Sequence, residues 1–430
     1  MKLFSLERQS NVKTSFIVNW CLPIAISRRL HIAVFILAFI TLLSRDPSRI
    51  FNAQFWAEDG STFYEKAHNF GVFRSLFMPY AGYLCITQRL VMSFVQQFPL
   101  MWAPFISNMM ALIIQVLPVT IILSSRFVSV IPNFSVRLLL VLIYLLLPNS
   151  YEIYANIASA QWYLALLACL VILAKPSPYL EWRIFDFVVV LLLALSGPFA
   201  ILLLPLAFLY WWLRPNRWTL ILNWGLAIGL IVQGVALMVM KSDPRNTSPL
   251  EASPDRLVKI LSGQIFFSAL TGQTGYGKLI ALPEVYHVVT GLMAMIGGAI
   301  ILYALLKGPL ELRIFILYGA LIFAAALASA TVSWKILILP GAAPRYWFVP
   351  MLVFLTCLVW LTQQRFCWIR VVAIALLAVL GTGIIADWRY PELVDLDFAK
   401  YVTQYEQSSP GTTTVIPINP PGWNMHLVKR

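Results

Sequence analysis

Leu30-His-Ile-Ala-Val-Phe-Ile-Leu-Ala-Phe-Ile-Thr-Leu-Leu-Ser44 is the first long apolar run of the chain, and Phe55-Trp56-Ala57-Glu58-Asp59-Gly60 follows close behind it. A run of this kind approaches the roughly 20 residues of a membrane-crossing helix. Similar cores recur at 101–124, 137–149, 158–174, 184–196, 198–213, 218–240, 287–306, 312–333, 346–364 and 369–386. Across 430 residues, 60% are hydrophobic and only 11% charged, with a mean hydropathy of +0.80. A water-soluble interior cannot hold that much apolar side chain, so the solvent must be lipid. The expected fold is all-α, a polytopic transmembrane bundle of about eleven spans. Residues 1–386 would form one membrane domain, and 387–430 a short polar tail outside it.

The formal charge of +13 does not point to nucleic acid, because most basic residues punctuate the ends of apolar runs. Lys2, Arg8, Lys13, Arg28 and Arg29 precede the first span, and no small-residue cleavage site follows it, which suggests an uncleaved anchor and a cytoplasmic N-terminus. From that start, the connections assigned to the cytoplasm contain Arg126/Arg137, Lys175/Arg183, Arg214/Arg217, Lys307/Arg313 and Arg365/Arg370. Each carries a basic pair. The segments 137–149 and 184–196 are short, and the breakers Pro148-Asn149-Ser150 and Ser196-Gly197-Pro198 follow them. Residues 16–27 fit a helix lying along the interface. The outer face then receives 45–100, 241–286, 334–345 and the tail from Asp387. The tail is too short to hold a sizeable core of its own. Five cysteines without CxxC and four histidines without ligand spacing predict neither a disulfide framework nor a metal site. The Asn246-Thr247-Ser248 sequon is a short match of little weight.

Chemistry concentrates in the first outer loop. Only 18 residues are acidic, yet Glu58 and Asp59 lie side by side where the chain should leave the bilayer, and ionisable groups there are costly to keep without a function. The sequence from Ala57 to Phe70 suits a short amphipathic helix beginning near Asp59, with Phe63, Ala67 and Phe70 on one face. A plain helix cap would account for Asp59 alone, though not for two acids in a row. Arg89, set among apolar residues, needs a carboxylate or lipid headgroup as partner, or snorkels to the interface. Asn156, Gln161 and Trp162 combine amides with an aromatic face, as a sugar ring requires, although interfacial anchoring explains aromatic residues at that depth equally well. Loop 241–286 holds Arg256 and a glycine-rich 271–278 stretch without the strand–helix context of a nucleotide site, so it reads as a flexible loop over a cavity. Lys335 and then Pro344-Arg345-Tyr346-Trp347 open the last outer turn, where the Arg345 fork suits a phosphate or carboxylate. Gly225 and Gly229 form a helix-packing motif.

The acid motif Phe55–Gly60 after one span, the turn Asn156–Tyr163 and the late Pro344-Arg345-Tyr346 together resemble the GT-C-type glycosyltransferases, specifically their bacterial members. The resemblance implies a polytopic enzyme of the bacterial inner membrane, working at its periplasmic face. It would move a sugar from a polyprenyl-phosphate donor to a cell-envelope glycan or lipid-linked acceptor, with inversion if displacement is direct. Asp59 would be the base, with Glu58 orienting the acceptor or exchanging roles. Arg345, aided by Tyr346, is the first choice to hold the leaving phosphate, ahead of Lys335, Arg256 and Arg89. The first-loop motif is Glu-Asp-Gly without the widely separated second acid of some relatives, and no large C-terminal domain like that of several subfamilies is expected, so a divalent metal and the acceptor class stay open. The competing expectation is a transporter or flippase for a lipid-linked saccharide or small solute, which broken helices would suit. A non-catalytic scaffold would leave the acid pair unexplained.

Overall fold

The computed structural model describes residues 28–239 and 249–430. The basic residues before Arg28, the segment 16–27 and the Asn246 sequon lie outside the described residues. Each apolar run becomes a helix, the conformation in which a segment satisfies its own backbone where water is absent. They are α1 (Arg28–Leu43), α2 (Ala103–Leu123), α3 (Phe134–Leu145), α4 (Ala160–Leu173), α5 (Leu180–Ala194), α6 (Phe199–Leu213), α7 (Arg217–Val239), α8 (Pro283–Lys307), α9 (Leu310–Ala328), α10 (Pro344–Leu361) and α11 (Cys367–Ala386). Six helices, beginning at Leu100, Arg217, Pro283, Leu310, Pro344 and Cys367, are long and apolar enough to cross a membrane. The remaining five are shorter or, in α5, interrupted by Glu181, Arg183 and Asp186.

Burial sorts these helices into layers. Every side chain of α4 except Gln161 is buried, as is most of α10, so these two form the centre. Helices α8 and α11 instead expose Val288, Leu292, Met295, Val371, Ile374 and Ile385. A helix facing water would not carry such a continuous apolar surface. Gly225 and Gly229 bring α7 against Phe187, Val190 and Ala194 of α5, as their spacing suggested.

The two ends of the bundle differ chemically. At one end, Arg126 grips Asp186 through two hydrogen bonds of 2.8 and 2.6 Å and reaches the carbonyl of Lys175 at 2.9 Å. Arg214 pairs with Glu311 at the same end, so several of the basic connections gather there. At the other end, both predicted breakers turn the chain. Ser196 bridges to Cys85, and the Asn149 backbone N–H donates to Asp387 at 3.0 Å.

The first loop opens as a π-helical turn, Asp59–Tyr64, running into a helix over Glu65–Phe70, with further helices at Val72–Leu76 and Ile86–Val95. The expected start near Asp59 is observed. Phe63 and Ala67 are buried, but Phe70, the last residue of its helix before the turn at Gly71, is exposed. The segment 254–280, expected as a flexible loop over a cavity, is helical. It packs against α8 and α11, and Gln264 and Tyr276 tie it to the carbonyls of Leu337, Leu339 and Ile338.

The tail is not merely a polar appendage. It forms a helix (Phe398–Gln407) and an antiparallel hairpin, β1 (Thr413–Ile418) with β2 (Trp423–Val428), the latter adding strands to an otherwise helical fold. Ile416, Ile418, Met425, Leu427 and Val402 share one core with Phe55, Phe63, Tyr64, Met92 and Val95 of the first loop. The hairpin turn also pairs with the acid motif: Ala57 N–H donates to the Asn419 carbonyl at 2.5 Å, and Asn419 N–H to that of Phe55 at 3.1 Å. Tail and loop thus complete each other.

Candidate functional site

A cavity of about 590 Å³ opens at the acid-motif end, between the first loop, the turn before α4, the starts of α6 and α10, the end of α9 and the hairpin. Glu58, Asn156, Gln161, Trp162, Arg345 and Tyr346, all singled out from the sequence, line it. Four other candidates do not. Asp59 is buried behind the wall. Arg89 is fully buried and spans from the Thr62 carbonyl at 3.1 Å to that of Met78 at 3.2 Å, its guanidinium over the Phe63 ring. It braces the loop instead of meeting a headgroup. Arg256 pairs with Glu251, and Lys335 is exposed on a separate short helix, Trp334–Leu337.

Asp59 and Glu58, adjacent in sequence, have separate surroundings. The Asp59 carboxylate accepts the N–H groups of Ile157 at 2.9 Å and Ala158 at 2.7 Å, fastening the acid motif to the turn that carries Asn156, Ser159 and Gln161. Burial raises its pKa from 3.8 to about 7, and Glu58 adds to the rise, while the two N–H donors and Arg49 oppose it. Glu58 is half-buried and faces the cavity, where the Tyr80 hydroxyl donates to its Oε1 at 3.0 Å. Burial and the neighbouring Glu58 raise the Tyr80 pKa, so the phenol stays a donor and orients the carboxylate.

Local backbone geometry directs these side chains. Ala57, Ala81, Ala155 and Ala343 all adopt left-handed conformations, with φ of 41°, 50°, 48° and 47°. Ala57 and Ala81 belong to the wall, Ala155 precedes Asn156, and Ala343 lies two residues before Arg345. Each such alanine costs about 1–2 kcal/mol. Strain of this sort concentrates where the surroundings hold a functional side chain in place. Gly197, at φ +88°, permits another approach, since a Cβ there would lie 2.4 Å from Gln161 Oε1.

Arg345 points into the cavity and is paired with Glu152, whose Oε2 also accepts the Arg345 backbone N–H at 3.2 Å. The guanidinium lies 4.8 Å from the centre of the Tyr346 ring. Asn156 lines the wall, but its amide is engaged in the turn through the Glu152 carbonyl and the Ser159 N–H. Gln88 is more available: it lines the cavity, is nearly fully buried, and its Oε1 has no hydrogen-bond partner among the described residues. An orphaned acceptor in a cavity is a place for a ligand donor.

Sequence reasoning missed Glu152, Tyr80, Gln88 and the hairpin's Trp423. Glu152 and Gln88 stand within stretches that attracted attention, but only the fold turns them inward. Trp423 reaches the cavity through a hairpin that no local pattern announced. Among the described residues, no group of three or more His, Cys, Asp or Glu side chains gathers closely enough to hold a metal ion. The cavity itself offers two carboxylates, one of them occupied by a guanidinium.

Together these groups form a polar chamber lined by aromatic rings: Trp56, Tyr80, Tyr83, Trp162, Tyr346 and Trp423. Amides and carboxylates can hydrogen-bond hydroxyls, the rings can pack on C–H faces, and a cation can hold an anion. No protein-family model matches the chain, and no curated protein matches it significantly.

Proposed function

We propose that this chain is a GT-C-like glycosyltransferase that moves a sugar from a polyprenyl-phosphate donor to a hydroxyl of a cell-envelope glycan or lipid-linked acceptor. In this proposal the eleven helices all cross the bacterial inner membrane and the cavity faces the periplasm. The observation that carries it is the presence of Glu58 and Arg345 on the walls of one aromatic-lined cavity, at the end of an apolar bundle. Glu58 takes the acceptor proton as the hydroxyl oxygen attacks the anomeric carbon. The bond from that carbon to the phosphate oxygen breaks, and the departing lipid phosphate gains charge that Arg345 stabilises. Direct displacement inverts the anomeric centre. Gln88 and Gln161 bind sugar hydroxyls, while Trp162 and Trp423 provide faces for stacking. Asp59 is a positioning residue, fixing Glu58 relative to the turn 156–159. Tyr80 keeps the Glu58 carboxylate aimed at the acceptor.

The location of the polar groups favours this over transport. A second cavity, of about 270 Å³, lies among Ile131, Val136, Leu170, Phe315 and Trp360 towards the opposite end, and it shares no lining residue with the first. A carrier would need polar groups leading between them. The deciding experiment incubates the purified full chain with a panel of polyprenyl-phosphate sugars and candidate acceptors. Release of lipid phosphate, lost in Glu58→Gln, supports transfer. A folded wild type that releases none across the panel, yet moves lipid-linked saccharide between vesicle leaflets, rejects it in favour of transport.

A further inference from the structure

Among the described residues, Arg345 supplies the one guanidinium on the cavity wall, and it is already paired. Glu152 Oε1 pairs with Nη1 of Arg345 and Oε2 accepts the Arg345 backbone N–H, so one carboxylate offsets the guanidinium charge and takes two of the donors that an incoming oxyanion could use. Among the described residues, that carboxylate has no other hydrogen-bond or ion-pair partner. Swinging it aside therefore sacrifices only its ion pair and its backbone hydrogen bond with Arg345. Both side chains also remain in contact with the open chamber, 32% exposed for Arg345 and 26% for Glu152. Such a pair is weak enough to exchange, because solvent and a competing anion both reach it.

We propose that Glu152 is a built-in competitor for the phosphate of a prenyl chain: it neutralises Arg345 in the empty cavity, yields it to the phosphate, and returns to help expel the phosphate afterwards. This rests on the proposed chemistry for its ligand class, though not on sugar transfer itself. A phosphate monoester carries up to two charges and three acceptor oxygens against one charge on the carboxylate, so it wins the guanidinium while bound. Returning Glu152 to Arg345 recovers the pair and lowers the cost of letting the product leave. The latch thus limits affinity in exchange for turnover. It also keeps an isolated cation from standing unpaired beside the membrane.

The test measures binding of farnesyl phosphate to the purified full chain in detergent, with inorganic phosphate as a second ligand. Glu152→Gln retains the shape and an acceptor for the Arg345 N–H while removing the charge. It should tighten farnesyl phosphate binding roughly two- to fivefold, the range expected from losing a partly exposed competing pair. Arg345→Gln should weaken binding, and the gain from Glu152→Gln should vanish on that background. If Glu152→Gln does not fold, Glu152→Asp, which draws the carboxylate back by one methylene, should show a smaller gain in the same direction. Unchanged or weaker binding in the folded variant overturns the proposal, as does a gain that persists without Arg345. Equal affinity for inorganic phosphate and farnesyl phosphate overturns the lipid as its source. Tighter binding with no sugar transfer in the donor panel leaves the latch standing and removes the glycosyltransferase; transfer without the coupling does the reverse.

Discussion

At the residue scale, adjacency in sequence concealed two different surroundings. Glu58 and Asp59 drew attention as a pair, and the sequence favoured Asp59 as the base. The π-helical turn directs Glu58 into the chamber and Asp59 into the protein, where two backbone N–H groups hold it. Glu58→Gln should therefore lower transfer by about 10²–10⁴-fold, the usual contribution of a general base, without changing the melting temperature. Asp59→Asn should behave differently. Each carboxylate oxygen accepts one N–H, so an amide would set its own NH2 against one of the two, and leaving that buried donor unsatisfied costs about 1–3 kcal/mol. The pH dependence also has a definite sign. With a pKa near 7 folded against 3.8 when free, Asp59 binds more protons in the folded state between those values. Its contribution to stability is complete below about 3.8 and is lost as pH rises through about 7. Melting curves at several pH values should show this decline in the wild type relative to Asp59→Asn. A constant difference between the two across that window would mean that the buried carboxyl titrates as it does in water.

At the scale of elements, apolar periodicity and breakers were legible because they act locally. All eleven helices lie where the apolar runs stand, and the turns fall at Pro148-Asn149-Ser150 and Ser196-Gly197-Pro198. The hairpin was not legible, since its partner strand edge and apolar cover come from Phe55 and Phe63, more than 350 residues earlier in the chain. The same limit applies to Glu152, whose importance depends on α10 arriving beside it. Two predictions belong here. Gly197→Ala meets a left-handed backbone and the Gln161 amide together. It should cost about 1–2 kcal/mol of stability through the backbone and raise KM for the donor more than it lowers kcat, because Gln161 is displaced from the wall. An unchanged KM would remove Gln161 from substrate binding. A chain ending at Gln407 loses β1 and β2, uncovering Phe55 and Phe63 and opening the roof made by Pro420 and Trp423. Limited proteolysis should then cut within 55–83 in the truncated protein but spare the full chain. Equal resistance in both would show that the first loop holds its shape without the tail.

At the scale of the whole molecule, the ends of the bundle carry different chemistry, and the proposed function requires that they face different compartments. Basic connections at Arg126, Lys175 and Arg214 gather at one end, and the chamber with Glu58 and Arg345 lies at the other. Positive charge near the short connections favours the cytoplasmic side for the first. The chain supplies most of a labelling experiment. Cys85, Cys169 and Cys357 are buried, whereas Cys367 is exposed at the start of α11, beside Arg365 and Arg370. With Cys21 replaced by serine, a membrane-impermeant maleimide applied to intact cells whose outer membrane has been made leaky should leave Cys367 unlabelled. Trp423→Cys, at the rim of the chamber, should be labelled under the same conditions, and permeabilising the inner membrane should make both reactive. Labelling of Cys367 alone would turn the chamber towards the cytoplasm, where the proposed reaction could not use a periplasmic acceptor. Labelling of both before permeabilisation would mean that the two ends share a compartment, and the helices would then not cross the bilayer in the alternating order that the basic connections imply.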